Sequence, residues 1–309
     1  MPGSSTLGGL HAAPRATTAR TVSLDAAPAA STRPPVVPVP ARLLTRWNAA
    51  MALFHATLAV TTLALGKWEL RVPVYKTGLD FVERQPPSVG WDLIPVYVEA
   101  GSLPFTLLVA LFFALTGLAH LLNATLWRAW YLHELARCRT PTRWLEYAVT
   151  AGLMMLLIAY TLGLRERALL ACVAVLVSVT MPFGYWVEVV SRPASPDAWA
   201  QPLTYRLFPW FLGNVPQATA WGVVVLQFYT SALTASDRAP AFVHAILWSE
   251  LLLFFSFGFV SLGTQLAPPR RFYQGELAFQ VLSLGSKGLL GGLLLANVLM
   301  RSRFEEIFE

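Results

Sequence analysis

The sequence predicts an all-α membrane protein, a bundle of seven transmembrane helices with a small β-hairpin in the loop after the first. Three observations predict it. The 309 residues are 55% hydrophobic and only 13% charged, against roughly 25% charged residues in an ordinary soluble domain. The mean hydropathy is +0.53. Stretches without a formal charge run for 20 residues between Arg46 and Lys67, 28 between Glu99 and Arg128, and 30 between Arg206 and Asp237. Each can cross a hydrocarbon core, which takes about 20 helical residues. This composition excludes a soluble enzyme. Cys138 and Cys172 match neither a metal-site spacing nor a disulfide framework, and no metal is expected.

Residues 1–40 come first and differ in kind, being rich in Ala, Ser, Thr and Pro with Asp25 as their one acid. Such a segment cannot bury a core and reads as a disordered tail; its Arg-containing, acid-poor composition also suits a cleaved targeting segment. The helical domain is expected over 41–303, with a short C-terminal tail at 304–309. Apolar runs bounded by charges, Pro and Gly place spans near 43–66, 102–127, 143–164, 168–190, 207–235, 240–265 and 275–300. Connections as short as Arg165-Glu166-Arg167 and Ser236-Asp237-Arg238 force successive spans to pack antiparallel. Between the first two spans, Trp68-Glu69-Leu70-Arg71-Val72-Pro73-Val74-Tyr75 and Ile94-Pro95-Val96-Tyr97-Val98 alternate β-branched and aromatic residues, separated by Pro, Gly and Ser. They predict the extramembrane hairpin.

Orientation follows from Lys and Arg counts. The loops sharing the N-terminal side carry 13, with Arg128, Arg137, Arg139 and Arg143 clustered between the second and third spans; the other side carries 9. The prediction is a multi-pass protein with a cytoplasmic N-terminus and its C-terminus outside or lumenal, in a plasma or an organelle membrane. The pI of about 9.6 then reflects charge beside anionic lipid rather than nucleic-acid binding.

An ionisable residue inside a span costs at least about 2.5 kcal/mol on insertion scales, so it asks for a partner or a role. Lys287, Glu146, Glu188 and Glu250 stand out. Lys287 lies midway along the last span, and a buried amine is either paired or a nucleophile toward aldehydes, with which it forms a Schiff base. Glu146, Thr150 and Met154 fall on one face of the third span, and Ser283 lies one turn before Lys287. A cation at Lys287 would find a counter-charge in Glu146 and a hydrogen-bond partner in Ser283. A structural ion pair explains the same residues.

Further motifs are Arg46-Trp47-Asn48 with His55 in the first span and Phe113-Ala114-Leu115-Thr116-Gly117-Leu118-Ala119-His120 in the second. Arg143-Trp144-Leu145-Glu146-Tyr147 with Met154 and Met155 mark the third span, Phe254-Phe255-Ser256-Phe257 the sixth, and Leu282-Ser283-Leu284-Gly285-Ser286-Lys287 the last. With these, residues from about Arg46 to Met300 resemble the heliorhodopsins, retinal-binding seven-helix proteins whose termini are inverted relative to ordinary microbial rhodopsins. The resemblance implies a rhodopsin-like bundle in which Lys287 carries all-trans-retinal as a protonated Schiff base with Glu146 as its counterion. It puts Ser283 where ion-pumping rhodopsins carry an acid, and it places His55 and His120 in a polar cluster that accepts the Schiff-base proton. It matches Glu188 to a glutamate near the end of the fourth helix, and it implies a homodimer.

Leu157, eleven residues after Glu146, stands where a proton pump typically has its carboxylic donor, which argues against conventional outward pumping. Phe254, Phe255 and Phe257 are candidates to enclose a polyene, and ordinary core packing explains aromatic residues at this spacing as well. The leading expectation is therefore a light sensor with a slow photocycle, not an enzyme, acting through an unidentified signalling partner. The alternative is a light-gated proton channel or light-driven transporter on the same scaffold, with Glu188 and Glu250 as relay groups.

Overall fold

A computed structural model describes residues 37–83, 90–191, 202–232 and 239–301. The expected C-terminal tail, and the expected N-terminal tail up to residue 36, lie outside the described residues. Val37–Pro40, counted with that tail in the sequence, instead pack as extended chain. The Val37 N–H donates to the Ala136 carbonyl at 3.0 Å, and Val37 and Val39 lie against a cluster of Leu44, Tyr131, Leu135 and Phe272.

Seven long helices follow the predicted spans: α1 Ala41–Leu65, α2 Phe105–Ala124, α4 Pro141–Thr161, α5 Arg167–Ser191, α6 Leu203–Ala232, α7 Ala241–Leu266 and α8 Phe272–Leu294. Six of them, all but α6, are long and apolar enough to cross a membrane. α6 has the length, at 30 residues, but its hydropathy is diluted by Arg206, Asn214, Gln217 and two internal prolines, Pro209 and Pro216. Neighbouring helices in a bundle re-satisfy the backbone groups such prolines free. Each helix packs on the next in chain order, and α8 returns against α1 to close the ring.

Two elements differ from the sequence reading. The basic loop between the second and third spans contains a further helix, α3 Arg128–Ala136, nine residues whose buried side chains, Tyr131 and Leu135, hold it to the bundle. It is too short for a clear apolar periodicity, and tertiary contacts fix it. The hairpin is longer than expected, with β1 Arg71–Glu83 paired antiparallel to β2 Trp91–Pro104. Strand geometry therefore runs to the first residue of α2, which starts at Phe105 rather than near 102.

The hairpin root is fixed to the bundle. Leu70, Val72 and Val74 are buried, the Tyr75 N–H donates to the Arg165 carbonyl at 2.9 Å, and the Tyr160 hydroxyl donates to the Pro73 carbonyl at 2.9 Å. A register shift between Pro73 and Tyr75 accommodates this attachment. Lipid tails are as apolar as leucine, so the helices are held by close packing and polar contacts rather than by transfer out of water. Gly184 lies against the Trp144 indole and Gly291 against the Phe113 ring, each where a Cβ would overlap those atoms.

Candidate functional site

Lys287 and Glu146 meet inside the ring. Lys287 Nζ is 2.6 Å from Glu146 Oε1 and donates to Ser283 Oγ at 3.0 Å. Both charged side chains are almost wholly buried, at 3% and 6% exposure. The i, i+4 spacing of Ser283 and Lys287 puts their polar atoms on one face of α8. On α4 the same spacing lets Thr150 Oγ1 donate to the Glu146 carboxylate at 3.0 Å. Thr116 of α2 adds a third donor at 2.8 Å. Sequence alone gives Thr116 no role. Its signal was a hydroxyl one turn before His120 on an apolar helix.

Lys287 of the pair, with Ser283 and Ser286, lines a cavity between α4, α5, α6, α7 and α8. Trp144, Tyr147, Met154, Phe254, Phe257 and Phe279 supply much of its wall. The Tyr147 ring centroid lies 4.9 Å from Lys287 Nζ, and its hydroxyl donates to the Phe279 carbonyl at 3.1 Å. Phe254, Phe255 and Phe257 all line the cavity. Leu157 is fully buried in apolar surroundings.

His55 and His120 come together with their rings stacked, centroids 6.0 Å apart, and His55 lies within electrostatic reach of Lys287 and Glu146. Neither ring nitrogen of His55 has a hydrogen-bond partner among the described residues. His120 Nδ1 is 2.8 Å from Asn48 Oδ1. Polar contacts continue from there: the Asn48 amide to the Tyr131 hydroxyl at 3.4 Å, and that hydroxyl to Glu276 Oε1 at 3.0 Å.

Glu276 ion-pairs with Arg143, and Arg143 also pairs with Glu188. This corrects the orientation count: Arg143 belongs to the buried interior and is offset by two carboxylates, so it adds no exposed positive charge to the loop. Glu188 does not line the cavity and is held further by the Thr140 N–H at 2.7 Å and hydroxyl at 2.9 Å. Glu276 escaped the sequence reading because it falls at the very start of the last span, where a charge costs little. Glu250 is fully buried and does not line the cavity. Neither of its carboxylate oxygens has a partner among the described residues.

A closed ring of seven helices around a buried lysine–carboxylate pair, the lysine on the wall of a largely apolar cavity, defines a rhodopsin-type membrane protein. Solved structures agree in fold. Xanthorhodopsin, a light-driven ion pump with dual chromophore, superposes with a TM-score of 0.58 at 15% identity, over 89% of this chain and 99% of its own. A light-driven proton pump from Leptosphaeria maculans gives 0.54 at 12% identity, over 84% and 97%. Exiguobacterium sibiricum rhodopsin gives 0.53 at 14%, over 83% and 95%. At these identities the likeness extends to the fold alone. No curated relative matches in sequence.

The family model described as Heliorhodopsin matches residues 44–299, and the chain belongs to the heliorhodopsin family. A membrane-embedded, light-responsive protein with a retinal chromophore follows from that membership.

Proposed function

We propose that this protein is a light sensor in which all-trans-retinal is bound to Lys287 as a protonated Schiff base with Glu146 as counterion, and that it signals through a slow photocycle without pumping. The observation that carries this reading is the contact of Lys287 Nζ with Glu146 and Ser283, with Lys287 and Ser283 on the wall of the aromatic cavity. The residues fit the group. A single amine sits where an aldehyde-bearing chain would end, and Met154, Phe254 and Phe257 offer apolar surface for the rest. When bound, retinal supplies absorption of visible light and a change of shape.

The chain's own residues do the remainder. Glu146 holds the negative charge opposite the cation, and Thr116 and Thr150 fix its carboxylate by donating to it. Ser283 can share a hydrogen bond but cannot serve as a second anionic proton acceptor, and Leu157 offers no carboxyl donor. The stacked His55 and His120 suit temporary storage of a proton. A proton held there need not cross the membrane, which supports sensing over transport. In the alternative reading, a light-gated channel or transporter, Glu250 is the relay group with more in its favour, because Glu188 is already engaged by Arg143 and Thr140.

The N-terminus is proposed to be cytoplasmic, on the excess of Lys and Arg in the sequence that remains without Arg143. Single cysteines placed in the 128–143 loop should then react only with reagent on the cytoplasmic side. Homodimerisation is proposed on the hairpin. The register places Tyr75, Thr77, Leu79 and Phe81 of β1 on the same face as Tyr97, Pro95, Leu93 and Trp91 of β2. Leu79, Phe81 and Trp91 there are each more than 60% exposed, an apolar face that a second copy would cover.

The deciding experiment is the visible spectrum of the protein expressed with all-trans-retinal beside that of Lys287→Ala. A long-wavelength band in the first and not in the second is expected. Two folded but colourless proteins would overturn the retinal reading, and steady photocurrent at zero voltage would overturn the non-pumping part of it.

A further inference from the structure

His55 and His120 lie side by side, but their hydrogen bonding differs. Asn48 of α1 is fully buried, and one of its amide atoms is 2.9 Å from the Leu44 carbonyl oxygen. A backbone carbonyl only accepts, so the Asn48 atom beside it is the NH2 group. The other amide atom, Oδ1, is then the one 2.8 Å from His120 Nδ1. Oδ1 also only accepts, so Nδ1 carries the hydrogen and donates it. The neighbouring contacts agree. The Asn48 NH2 group reaches the Tyr131 hydroxyl at 3.4 Å, and that hydroxyl gives its own hydrogen to Glu276.

A neutral imidazole with its hydrogen on Nδ1 leaves Nε2 bare and basic. When a proton adds there, an Nε2–H bond forms and the ring gains one positive charge. The Nδ1–H bond to Asn48 stays in place and becomes charge-assisted, hence stronger. His55 offers no such arrangement. It is fully buried, and neither ring nitrogen has a partner among the described residues. As an imidazolium it would bury two donors without an acceptor among those residues, which costs more on a charged group than on a neutral one. Glu146 and Lys287 lie within electrostatic reach of both rings with opposite effects, and Glu276 adds a carboxylate near His120. The bond to Asn48 is what separates the two histidines.

We infer that Asn48 is a positioning residue that holds His120 as its Nδ1–H tautomer, so that Nε2 is the atom that takes the stored proton and His120, not His55, is its holder. The choice of holder rests on the proposal that these histidines store a proton. The tautomer does not depend on retinal.

Solid-state nitrogen NMR of the full-length protein, carrying isotopically labelled histidine, in lipid bilayers, free of retinoid and at mildly alkaline pH, reads the tautomer directly. His120→Phe identifies the signals of His120. The wild type should show a protonated Nδ1 and a bare Nε2. Asn48→Leu should lose that preference. Asn48→Asp should keep it, because a carboxyl oxygen accepts from Nδ1 in either charge state. An Nε2–H tautomer in the wild type, or an unchanged tautomer in Asn48→Leu, overturns the positioning role and leaves the retinal reading intact.

The second arm illuminates the same protein loaded with all-trans-retinal. His120 should become an imidazolium while His55 stays neutral. The ratio of charged to neutral His120 should fall about fivefold in Asn48→Leu, the margin by which a hydrogen bond from a charged donor exceeds a neutral one. A proton found on His55, or on neither ring, overturns His120 as the holder. If no visible band forms with retinal, the retinal reading fails and the holder with it, while the tautomer in the retinoid-free protein still decides the role of Asn48.

Discussion

Replacing Arg143 by Met would leave two buried carboxylates without their cation. Arg143 is 4% exposed in its side chain, between Glu188 at 1% and Glu276 at 2%. The guanidinium is further packed over the Phe279 ring, 3.8 Å from its centroid. Without the cation, Glu188 keeps the two donors of Thr140, and Glu276 keeps the Tyr131 hydroxyl and the Gln280 amide at 3.0 and 2.9 Å. Neither set supplies a compensating charge.

Breaking one buried ion pair costs about 3–5 kcal/mol. Two carboxylates share this cation, so the upper end applies. For a chain of this size the midpoint falls roughly 2–4 °C per kcal/mol, which predicts a drop on the order of 10 °C or more. Thermal unfolding in detergent, followed by far-ultraviolet circular dichroism, measures it. The triple variant Arg143→Met, Glu188→Gln, Glu276→Gln removes all three charges together and should recover most of the loss. A single variant within about 3 °C of wild type, or a triple variant no more stable than the single, would refute the reasoning.

The Lys287 and Glu146 pair lends itself to a double-mutant cycle on retinoid-free protein. Glu146→Ala alone should cost about 3–5 kcal/mol because it strands a buried ammonium, and adding Lys287→Ala should restore part of that stability; additive losses would show the pair is not coupled. Gly291→Ala should destabilise by about 1–3 kcal/mol, because its Cβ overlaps the Phe113 ring. Gly288→Ala meets nothing within 4 Å and should be neutral or slightly stabilising. The same melting curves decide both. Phe81→Ser with Leu93→Ser should shift the protein from dimer to monomer by light scattering without lowering its melting temperature; an unchanged dimer would place the interface elsewhere.

Seven spans, the hairpin's location and the shared helix face of Ser283 and Lys287 were legible in the sequence. Each rests on a property that short windows carry. A hydrocarbon core demands long uncharged runs, strands alternate with a period of two, and i, i+4 spacing puts Ser283 and Lys287 on one helix face. The family's motifs extended that reading from single helices to the meeting of α4 with α8.

The tertiary structure alone decided what crosses between elements remote in sequence. Thr116 donates to Glu146 from another helix. Arg143, which sits in a basic loop by sequence, is buried between carboxylates 45 and 133 residues away. α3 forms a helix that its nine residues do not announce. Gln217 reads as an unremarkable polar residue until it is found buried and among the residues lining the cavity. Hydrophobic periodicity records which face of a helix turns inward, but the partner waiting there is fixed only when the ring of helices closes.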